Sequence, residues 1–136
     1  MEATAISVKN GLGNDFLHIE YNEASKWVYA RWVGDVTNED VKHGAEKILE
    51  QLQQHHCPHI LNDNRELVGS WDEVTEWVQQ DWMPRAIGAG LQKFAHIISP
   101  DIFAAMSVEE MVTRASGFEM RIFEDEAEAK AWLESE

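Results

Sequence analysis

Four helix starts are marked along the sequence by a hydroxyl or carboxylate residue that stands three positions before an acid. The pairs are Thr37 with Asp40, Ser70 with Glu73, Ser107 with Glu110, and Asp125 with Glu128. The first oxygen of each pair can accept from a free amide of the first helical turn, and the acid is favoured at the positive end of the helix dipole. Strand-like runs precede or separate these starts, so we expect strands and helices to alternate along the chain.

The runs between the helix starts predict one α/β domain. We expect strands over 16–21, 27–33, 59–62, 94–98 and 118–123, and helices over 38–55, 70–88, 107–114 and from 126 onward, with a short helical turn at 102–105. The first two strands are close enough to form an antiparallel hairpin, whereas helical crossovers favour parallel pairing of the later strands. The expected fold is therefore a mixed, mostly parallel five-stranded sheet in the order β-β-α-β-α-β-α-β-α.

Three further expectations concern the ends of the chain and the second helix. Residues 1–15 are rich in Gly and Asn and are expected to be a turn-rich N-terminal segment before a single domain at 16–136. Pro84 has no amide donor, so the second helix should kink or restart near Met83. In the last helix, Ala127, Ala131 and Trp132 are expected to face inward.

The charge balance restricts the class of partner. The chain has 25 acidic and 11 basic residues and a net charge of −14, so it should repel nucleic-acid phosphates and anionic lipid headgroups. No apolar run approaches the ~20 residues of a membrane span, and the first residues lack the features of a signal peptide. Cys57 is the only cysteine, which excludes an intrachain disulfide. We expect a cytoplasmic protein without a nucleic-acid partner or stable membrane insertion.

Three stretches of the chain carry a resemblance to a known family. They are the hairpin over 21–33, the strand exit over 60–65, and the closing unit over 123–133, which ends in Glu-Ala-Lys-Ala-Trp-Leu. Together with the helix over 77–85, they resemble the SpoIIAA-like branch of the STAS fold, which includes bacterial proteins and is related in shape to CRAL-TRIO lipid-binding domains. The resemblance covers about residues 16–134. It implies a regulatory or ligand-binding module.

Ser70 stands where the resemblance implies a regulatory switch. Some members of the wider STAS family are phosphorylated on a serine of an Asp-Ser-Ser-Gly-like motif that opens the helix after the third strand. This chain has Asn-Asp-Asn-Arg at 62–65 and lacks that motif. A phosphate on Ser70 would gain from the helix amides, but Glu66, Asp72 and Glu73 would oppose a dianion. The sequence favours an ordinary N-cap at Ser70 over a phosphorylation site.

A cluster of imidazole and thiol groups stands at the end of the first helix. His55, Cys57 and His59 are of the types that bind zinc or copper. However, Pro58 breaks the helix between them, and histidine also suits the negative end of a helix dipole. The sequence favours a helix end over a metal site, and we expect no metal and no cofactor.

Polar residues also follow the third predicted strand, at the sheet edge where open α/β sheets collect ligands. Asp63, Arg65 and His96 could converge there as acid–base or anion-binding groups. Alternatively, Asp63 and Asn64 shape a turn and Arg65 pairs with a nearby acid. No nucleophile elbow, phosphate loop or metalloprotease motif accompanies these residues, which argues against an enzyme.

Aromatic residues are concentrated on the second helix. Trp77 fits the same stripe as Val74, Val78 and Trp82, but Trp71 lies roughly 120° away on an ideal helix, so the three tryptophans should not all bury on one narrow face. A tryptophan left at the surface would form a dimer contact or cover an apolar pocket. The other candidate residues for such a surface are Met83, Arg85, Ile102 and Phe103.

The sequence thus favours a non-enzymatic regulatory or ligand-binding module. Its partner would be a small apolar ligand or a protein, and the site would be an apolar groove beside the second helix and the 102–103 turn. One alternative is a homodimeric interaction module that associates through the Trp-rich helix. The other is a small acid–base enzyme that uses Asp63, Arg65 and His96.

Overall fold

The computed structural model describes residues 4–135. The strands are β1 (Thr4–Lys9), β2 (Asp15–Asn22), β3 (Trp27–Asp35), β4 (His59–Val68), β5 (Lys93–Ile97) and β6 (Glu119–Phe123). The helices are α1 (Asn38–His55), the continuous helical segment α2 (72–88), α3 (Ile102–Arg114) and α4 (Glu126–Glu134).

The six strands form one sheet in sequential order. The β1–β2 and β2–β3 pairs are antiparallel, and the pairs from β3 to β6 are parallel. This confirms the predicted mixed, mostly parallel α/β fold, but the sheet has one strand more than the five expected.

The additional strand is β1, in which Ile6 and Val8 alternate with the exposed side chains of Ala5, Ser7 and Lys9. The turn-rich segment expected over 1–15 is therefore reduced to residues 10–14, which connect β1 to β2, while residues 1–3 lie outside the described part of the chain.

The helices lie on opposite faces of the sheet. Helices α1, α2 and α3 cover one face and enclose the larger core, whereas α4 packs on β4, β5 and β6 on the other face. In α4 the buried residues are Ala129 and Leu133. The prediction for Ala127 and Ala131 was wrong because these two are exposed, and Trp132 is only half-buried. Ala129 and Leu133 are four residues apart and share one helical face, whereas Ala127 and Ala131 lie two positions away and point to the opposite side.

Two of the four predicted helix caps are confirmed, those of Thr37 on α1 and Asp125 on α4. The other two were wrong. Ser70 is exposed and the start of α2 has no side-chain cap. Helix α3 begins at Ile102, where Asp101 accepts from the Ala104 amide at 3.1 Å, so the predicted turn at 102–105 is the first turn of this helix. Ser107 lies inside α3 and is fully buried.

Helix α1 packs closely on the sheet and covers part of the larger core. Its buried residues follow helical spacing, and its first turn is acidic, as the helix dipole favours. At Gly44 the helix approaches the sheet so closely that an added Cβ would lie 2.5 Å from the Trp32 ring. Within residues 4–135, no helix is both long and apolar enough to cross a membrane.

Helix α2 changes geometry along its length. It begins as a 3₁₀ turn over Asp72–Val74 and contains a π turn over Val78–Trp82, after which α geometry resumes at Met83. The Met83 amide donates to the Val78 carbonyl, five residues back. Pro84 explains the restart because it supplies no amide to the preceding turn. The predicted change near Met83 is therefore confirmed as a restart.

Candidate functional site

A small cavity of about 40 Å³ lies between the sheet and helices α1, α2 and α3. Most of its wall is apolar. The apolar and aromatic lining consists of Trp32, Val41, Ala45, Ile48, Leu67, Trp71, Val78, Trp82, Phe94 and Met111. The polar part of the wall consists of Asn62, Asn64 and His96. An apolar enclosure with a few polar groups on one wall is the usual composition of a small-molecule site.

The polar wall is a hydrogen-bonded cluster on adjacent strands. Asn62 of β4 is the register partner of His96 of β5, and their Nδ2 and Nδ1 atoms lie 3.2 Å apart. Asn62 Oδ1 accepts from Trp32 Nε1 at 2.7 Å, and Asn62 Nδ2 donates to Asn64 Oδ1 at 3.1 Å. Asn64 Nδ2 lies 3.3 Å from His96 Nδ1. Four side chains from three strands thus form one buried network.

His96 is neutral in this environment. Its side chain is 1% exposed and packs on Phe94, with the ring centroids 4.5 Å apart. Burial lowers the pKa of His96 to about 3 because it penalises the imidazolium ion. Its Nε2 atom is buried and has no hydrogen-bond partner among residues 4–135. Such an atom costs stability unless something else satisfies it.

Trp71 contributes a second buried atom of this kind. Its side chain is 4% exposed, and its Nε1 atom has no hydrogen-bond partner in the described part of the chain. Ser107 holds the backbone at this point, because its Oγ accepts from the Trp71 amide at 3.1 Å and donates to Asp72 Oδ1 at 2.6 Å. Ser107 therefore joins α3 to the start of α2 instead of capping a helix.

The two tryptophans within α2, Trp77 and Trp82, have different environments. Trp82 is buried, donates from Nε1 to the Ala45 carbonyl at 2.8 Å, and packs edge-on against Phe94. Trp77 is the half-buried one, with the Lys42 ammonium 5.8 Å from its ring centroid. The three tryptophans are not all buried, but the one displaced from the core is Trp77 and not Trp71, which the helical angle had singled out. The placement of Trp77 in the buried stripe was only partly right, because the 3₁₀ and π turns alter the angle between successive residues.

A second polar cluster lies on the α4 face of the sheet. Asp63 accepts from Tyr29 Oη at 2.6 Å and from Arg65 Nε and Nη2 at 3.0 and 2.7 Å. Arg65 also donates to Glu126 Oε1 at 2.8 Å, and Glu126 pairs with Lys130 at 2.6 Å. An open groove of about 690 Å³ runs beside this cluster. Because these charged groups already pair with one another, the groove is the weaker candidate for a ligand site.

The charges of this cluster shift one another's pKa values. Burial raises the pKa of Asp63, but hydrogen bonds from Arg65 and Tyr29 outweigh burial and leave that pKa below its ordinary value. Burial, and then the Asp63 carboxylate, raise the pKa of Tyr29. The pKa of Glu126 is lowered first by Lys130 and also by Arg65. Each ionised carboxylate is therefore stabilised by its partners.

The predicted convergence of Asp63, Arg65 and His96 was wrong. Strand β4 continues to Val68, so Asp63 and Arg65 lie within a strand and not in a turn after it. Side chains alternate between the faces of a strand, and His96 joins the cluster of Asn62 and Asn64 on the cavity side. The expected pairing of Arg65 with a nearby acid is confirmed.

The other candidate residues lie outside the cavity. Met83 is buried in the core, and Arg85 pairs on the surface with Glu46 and Asp81. Ile102 and Phe103 are 65% and 61% exposed on the first turn of α3. The site expected beside these two residues is instead a small cavity bounded by Met111, on a later turn of α3.

The histidine and cysteine cluster marks a helix end, as predicted. His55 is the last residue of α1 and stacks on Tyr21 with ring centroids 3.9 Å apart. Cys57 is buried, and burial raises the pKa of its thiol. Among the described residues there is no group of three or more His, Cys, Asp or Glu side chains arranged to hold a metal ion.

Of the four side chains in the buried network, only His96 was predicted as a site residue, and Trp32, Asn62 and Asn64 were not. A signal for the two amides was present, because they stand two positions apart in a strand that also contains Ile60 and Leu61. Alternation places such a pair on one face. Nothing in the local sequence indicates that Trp32, thirty residues earlier, donates to Asn62.

Comparison with known proteins identifies the family to which this architecture belongs. A model of the SpoIIAA-like family matches residues 20–134, which confirms the resemblance found in the sequence. The chain is also similar to the solved structure of an uncharacterized protein from the DUF3478 family, with a SpoIIAA-like fold, from Shewanella loihica PV-4. Identity is 20%, coverage is 86% of this chain and 91% of that chain, and the TM-score is 0.53. This likeness supports the fold alone. A search of curated proteins finds no match.

Proposed function

Because the chain belongs to the SpoIIAA-like family, we propose that it is a non-enzymatic binding module that takes a small apolar ligand into the cavity beside α2. The observation that carries this proposal is an apolar cavity lined by two side chains, Trp71 and His96, whose buried ring nitrogens lack partners among the described residues. A ligand could fill the space and satisfy those atoms together.

The wall of the cavity also contains an element that is suited to movement. Val78 and Trp82 belong to the π turn of α2 and line the cavity. π turns are frequent at functional sites, and they provide a local irregularity at which a helix can adjust. We infer that α2 admits the ligand.

The acid–base alternative has less support. Asp63 and Arg65 are engaged with each other on the α4 face, while His96 lines the cavity on the other face. A general base needs to reach a substrate proton within hydrogen-bond distance. The binding module requires no such arrangement of acid and base.

Xenon tests the proposal, because it enters apolar cavities without requiring a specific contact. We expect xenon pressure to shift the NMR signals of Ala45, Val78 and Met111 in the wild-type chain. Ala45→Val adds two methyl groups at the cavity wall and should remove the shifts at Val78 and Met111 while the protein stays folded.

The matched control for this experiment is Ala131→Val, which makes the same change at an exposed position of α4. It should retain the xenon response. No xenon response in the wild-type chain, or an unchanged response in Ala45→Val, would contradict a ligand cavity at this position.

A protein partner is the second candidate, favoured by an exposed apolar patch on α3. The patch consists of Ile102, Phe103 and Met106, which are 65%, 61% and 55% exposed. SpoIIAA-like domains are typically protein-interaction modules, and exposed apolar side chains that cluster mark such surfaces. This patch replaces the Trp-rich helix as the dimer candidate because Trp71 and Trp82 are buried. Sedimentation at micromolar concentration tests self-association, and a monomer of 15.6 kDa would contradict it.

A further inference from the structure

We propose that the ligand carries an uncharged carbonyl group, whose oxygen accepts hydrogen bonds from His96 Nε2 and Trp71 Nε1. This inference rests on the proposed function and specifies the chemical class of the ligand. It depends on which of the buried nitrogen atoms carry hydrogens, and the hydrogen-bond network determines that.

The orientation of both amides follows from Trp32. An indole nitrogen can only donate, so the atom of Asn62 that lies 2.7 Å from Trp32 Nε1 is its oxygen. Asn62 Nδ2 must then donate, and its partner at 3.1 Å is Asn64 Oδ1. This leaves Asn64 Nδ2 as the atom beside the His96 ring at 3.3 Å.

The two amides in turn determine the tautomer of His96. Its Nδ1 atom faces two donors, Asn62 Nδ2 at 3.2 Å and Asn64 Nδ2 at 3.3 Å. A hydrogen on Nδ1 would meet these N–H groups directly, so Nδ1 is the acceptor and the neutral ring carries its hydrogen on Nε2. His96 Nε2 is therefore a donor, and it is the atom without a partner in the described chain.

Two unsatisfied donors thus belong to side chains that line one cavity, because Trp71 Nε1 can also only donate. A carbonyl oxygen has two lone pairs and no hydrogen, so one such oxygen within hydrogen-bond distance of both donors would leave nothing unpaired. A hydroxyl group or a water brings hydrogens of its own, and these would have to share Asn62 Oδ1 or Asn64 Oδ1 with the bond that each oxygen already accepts.

Charge excludes a carboxylate or phosphate as the ligand group. None of the described residues that line the cavity is a Lys, Arg, Asp or Glu. An anion moved into such an apolar site would lose its hydration without gaining a countercharge, and the chain has a net charge of −14. The acceptor is therefore neutral, as in a ketone, aldehyde, ester or amide.

The space available restricts the size of this group. One water molecule needs about 10–15 Å³ of cavity volume. The cavity of about 40 Å³ therefore holds roughly three to four water-sized atoms. Acetone has this size. It is the natural first probe, and isobutene is its matched control because CH₂ replaces the oxygen and leaves the shape nearly unchanged.

Acetone, isobutene and 2-propanol are titrated separately into the ¹⁵N-labelled wild-type chain. We expect acetone to move the indole N–H signal of Trp71 and the Nε2 signal of His96 downfield, and to bind about tenfold more tightly than 2-propanol. Isobutene should bind without a downfield shift of either signal.

Trp71→Phe removes one donor and keeps an aromatic ring. It should weaken acetone binding about tenfold, the change expected for a lost hydrogen bond, and leave isobutene binding within about twofold. Trp132→Phe makes the same change on the α4 face, where Trp132 packs on Phe123, and should alter neither affinity. The wild-type N–H shifts test the proposal independently if Trp71→Phe does not fold.

The outcomes separate this inference from the proposed function. Equal losses of acetone and isobutene affinity in Trp71→Phe, an unmoved indole signal, or 2-propanol binding as tight as acetone would overturn the carbonyl assignment. Xenon and isobutene would still bind in that case, so the cavity would remain a ligand site. Failure of xenon, isobutene and acetone alike would overturn both.

Discussion

Strand β4 supplies two polar clusters of opposite character to the two faces of the sheet. On the cavity side, Asn62 and Asn64 are neutral and 6% and 1% exposed. On the α4 side, Asp63 is ionised and Arg65, whose side chain is 46% exposed, reaches water. The comparison shows that charge is located where a partner and solvent are both available, as the cost of burying an ion requires.

The two clusters also differ in what they leave unsatisfied. The ionic cluster pairs Asp63, Arg65, Glu126 and Lys130 with one another. The neutral cluster ends at His96 Nε2, which has no partner among the residues described. The candidate ligand site is therefore at the neutral cluster and not at the ionic one, because the neutral cluster contains a nitrogen without a partner among the described residues.

The largest expected effect comes from breaking the neutral cluster. Asn62→Leu removes the acceptor of Trp32 Nε1 and the donor to Asn64, leaving buried groups unpaired, and should lower the free energy of unfolding by about 2–4 kcal/mol. Urea denaturation measures this change. Asp63→Asn on the opposite face keeps one of the two acceptor oxygens, and Arg65 retains Glu126 as a partner, so this change should cost less. A greater loss in Asp63→Asn would contradict the contrast between the faces.

An intermediate effect is expected from pH. The pKa of His96 is about 3, below its ordinary value of 6.5, so its contribution is complete above about pH 6.5 and is lost as the pH falls towards the folded pKa. Between about pH 6.5 and 5 this loss should be about 2 kcal/mol, at about 1.4 kcal/mol for each unit. It is measured as the unfolding free energy of the wild-type chain relative to His96→Gln. His96 imidazole signals that titrate between about pH 7 and 5 in the folded protein would contradict a neutral His96.

The ionic face should respond in a different pH window. The pKa of Asp63 lies below its ordinary value of 3.8, so its contribution is complete above that value and is lost as the pH falls through the lower, folded pKa. The unfolding free energy of the wild-type chain relative to Asp63→Asn should therefore stay constant down to about pH 4 and decrease only below it. A decrease that begins near pH 6 would show that Asp63 is not held ionised by Arg65 and Tyr29.

The smallest expected effect is that of Glu126→Gln. Its carboxylate is 36% exposed and pairs with Arg65, which keeps Asp63 as a partner. Exposed ion pairs contribute about 0–1 kcal/mol and are screened by salt, so the loss of stability should fall in that range and decrease in high NaCl. Denaturation at low and high salt measures it. A loss comparable with that of Asn62→Leu would show that the ionic face, too, depends on one buried contact.

Much of the fold could be predicted because it depends on short-range patterns. Helix α1 has its predicted bounds, since its Thr37 cap and apolar stripe lie within a few turns of each other. The cap predicted at Ser107 failed for the opposite reason. Ser107 fits the local pattern, but its hydroxyl contacts Trp71 and Asp72, about 35 residues earlier.

The candidate site could be predicted only in part. The residue types on the second helix indicated an apolar site, and Trp71 and Trp82 do line the cavity. The polar partners were assigned to the wrong face because β4 was expected to end at Asn62, which turned 63–65 into a loop. In the longer strand, alternation separates Asp63 and Arg65 from His96.

The sequence by itself determined the alternation of strands and helices and two of the helix caps, since periodicity and capping act within one or two turns of chain. The family was identified separately, by the resemblance of the stretches 21–33, 60–65 and 123–133 to the SpoIIAA-like branch. Only the tertiary structure decided that Asn62 meets His96, which lies opposite it in the parallel register of β4 and β5. It also decided that Trp71 and His96 line one cavity with donors that no described residue satisfies. Those contacts join residues far apart in the chain, and their formation depends on how strands and helices pack and not on any local pattern.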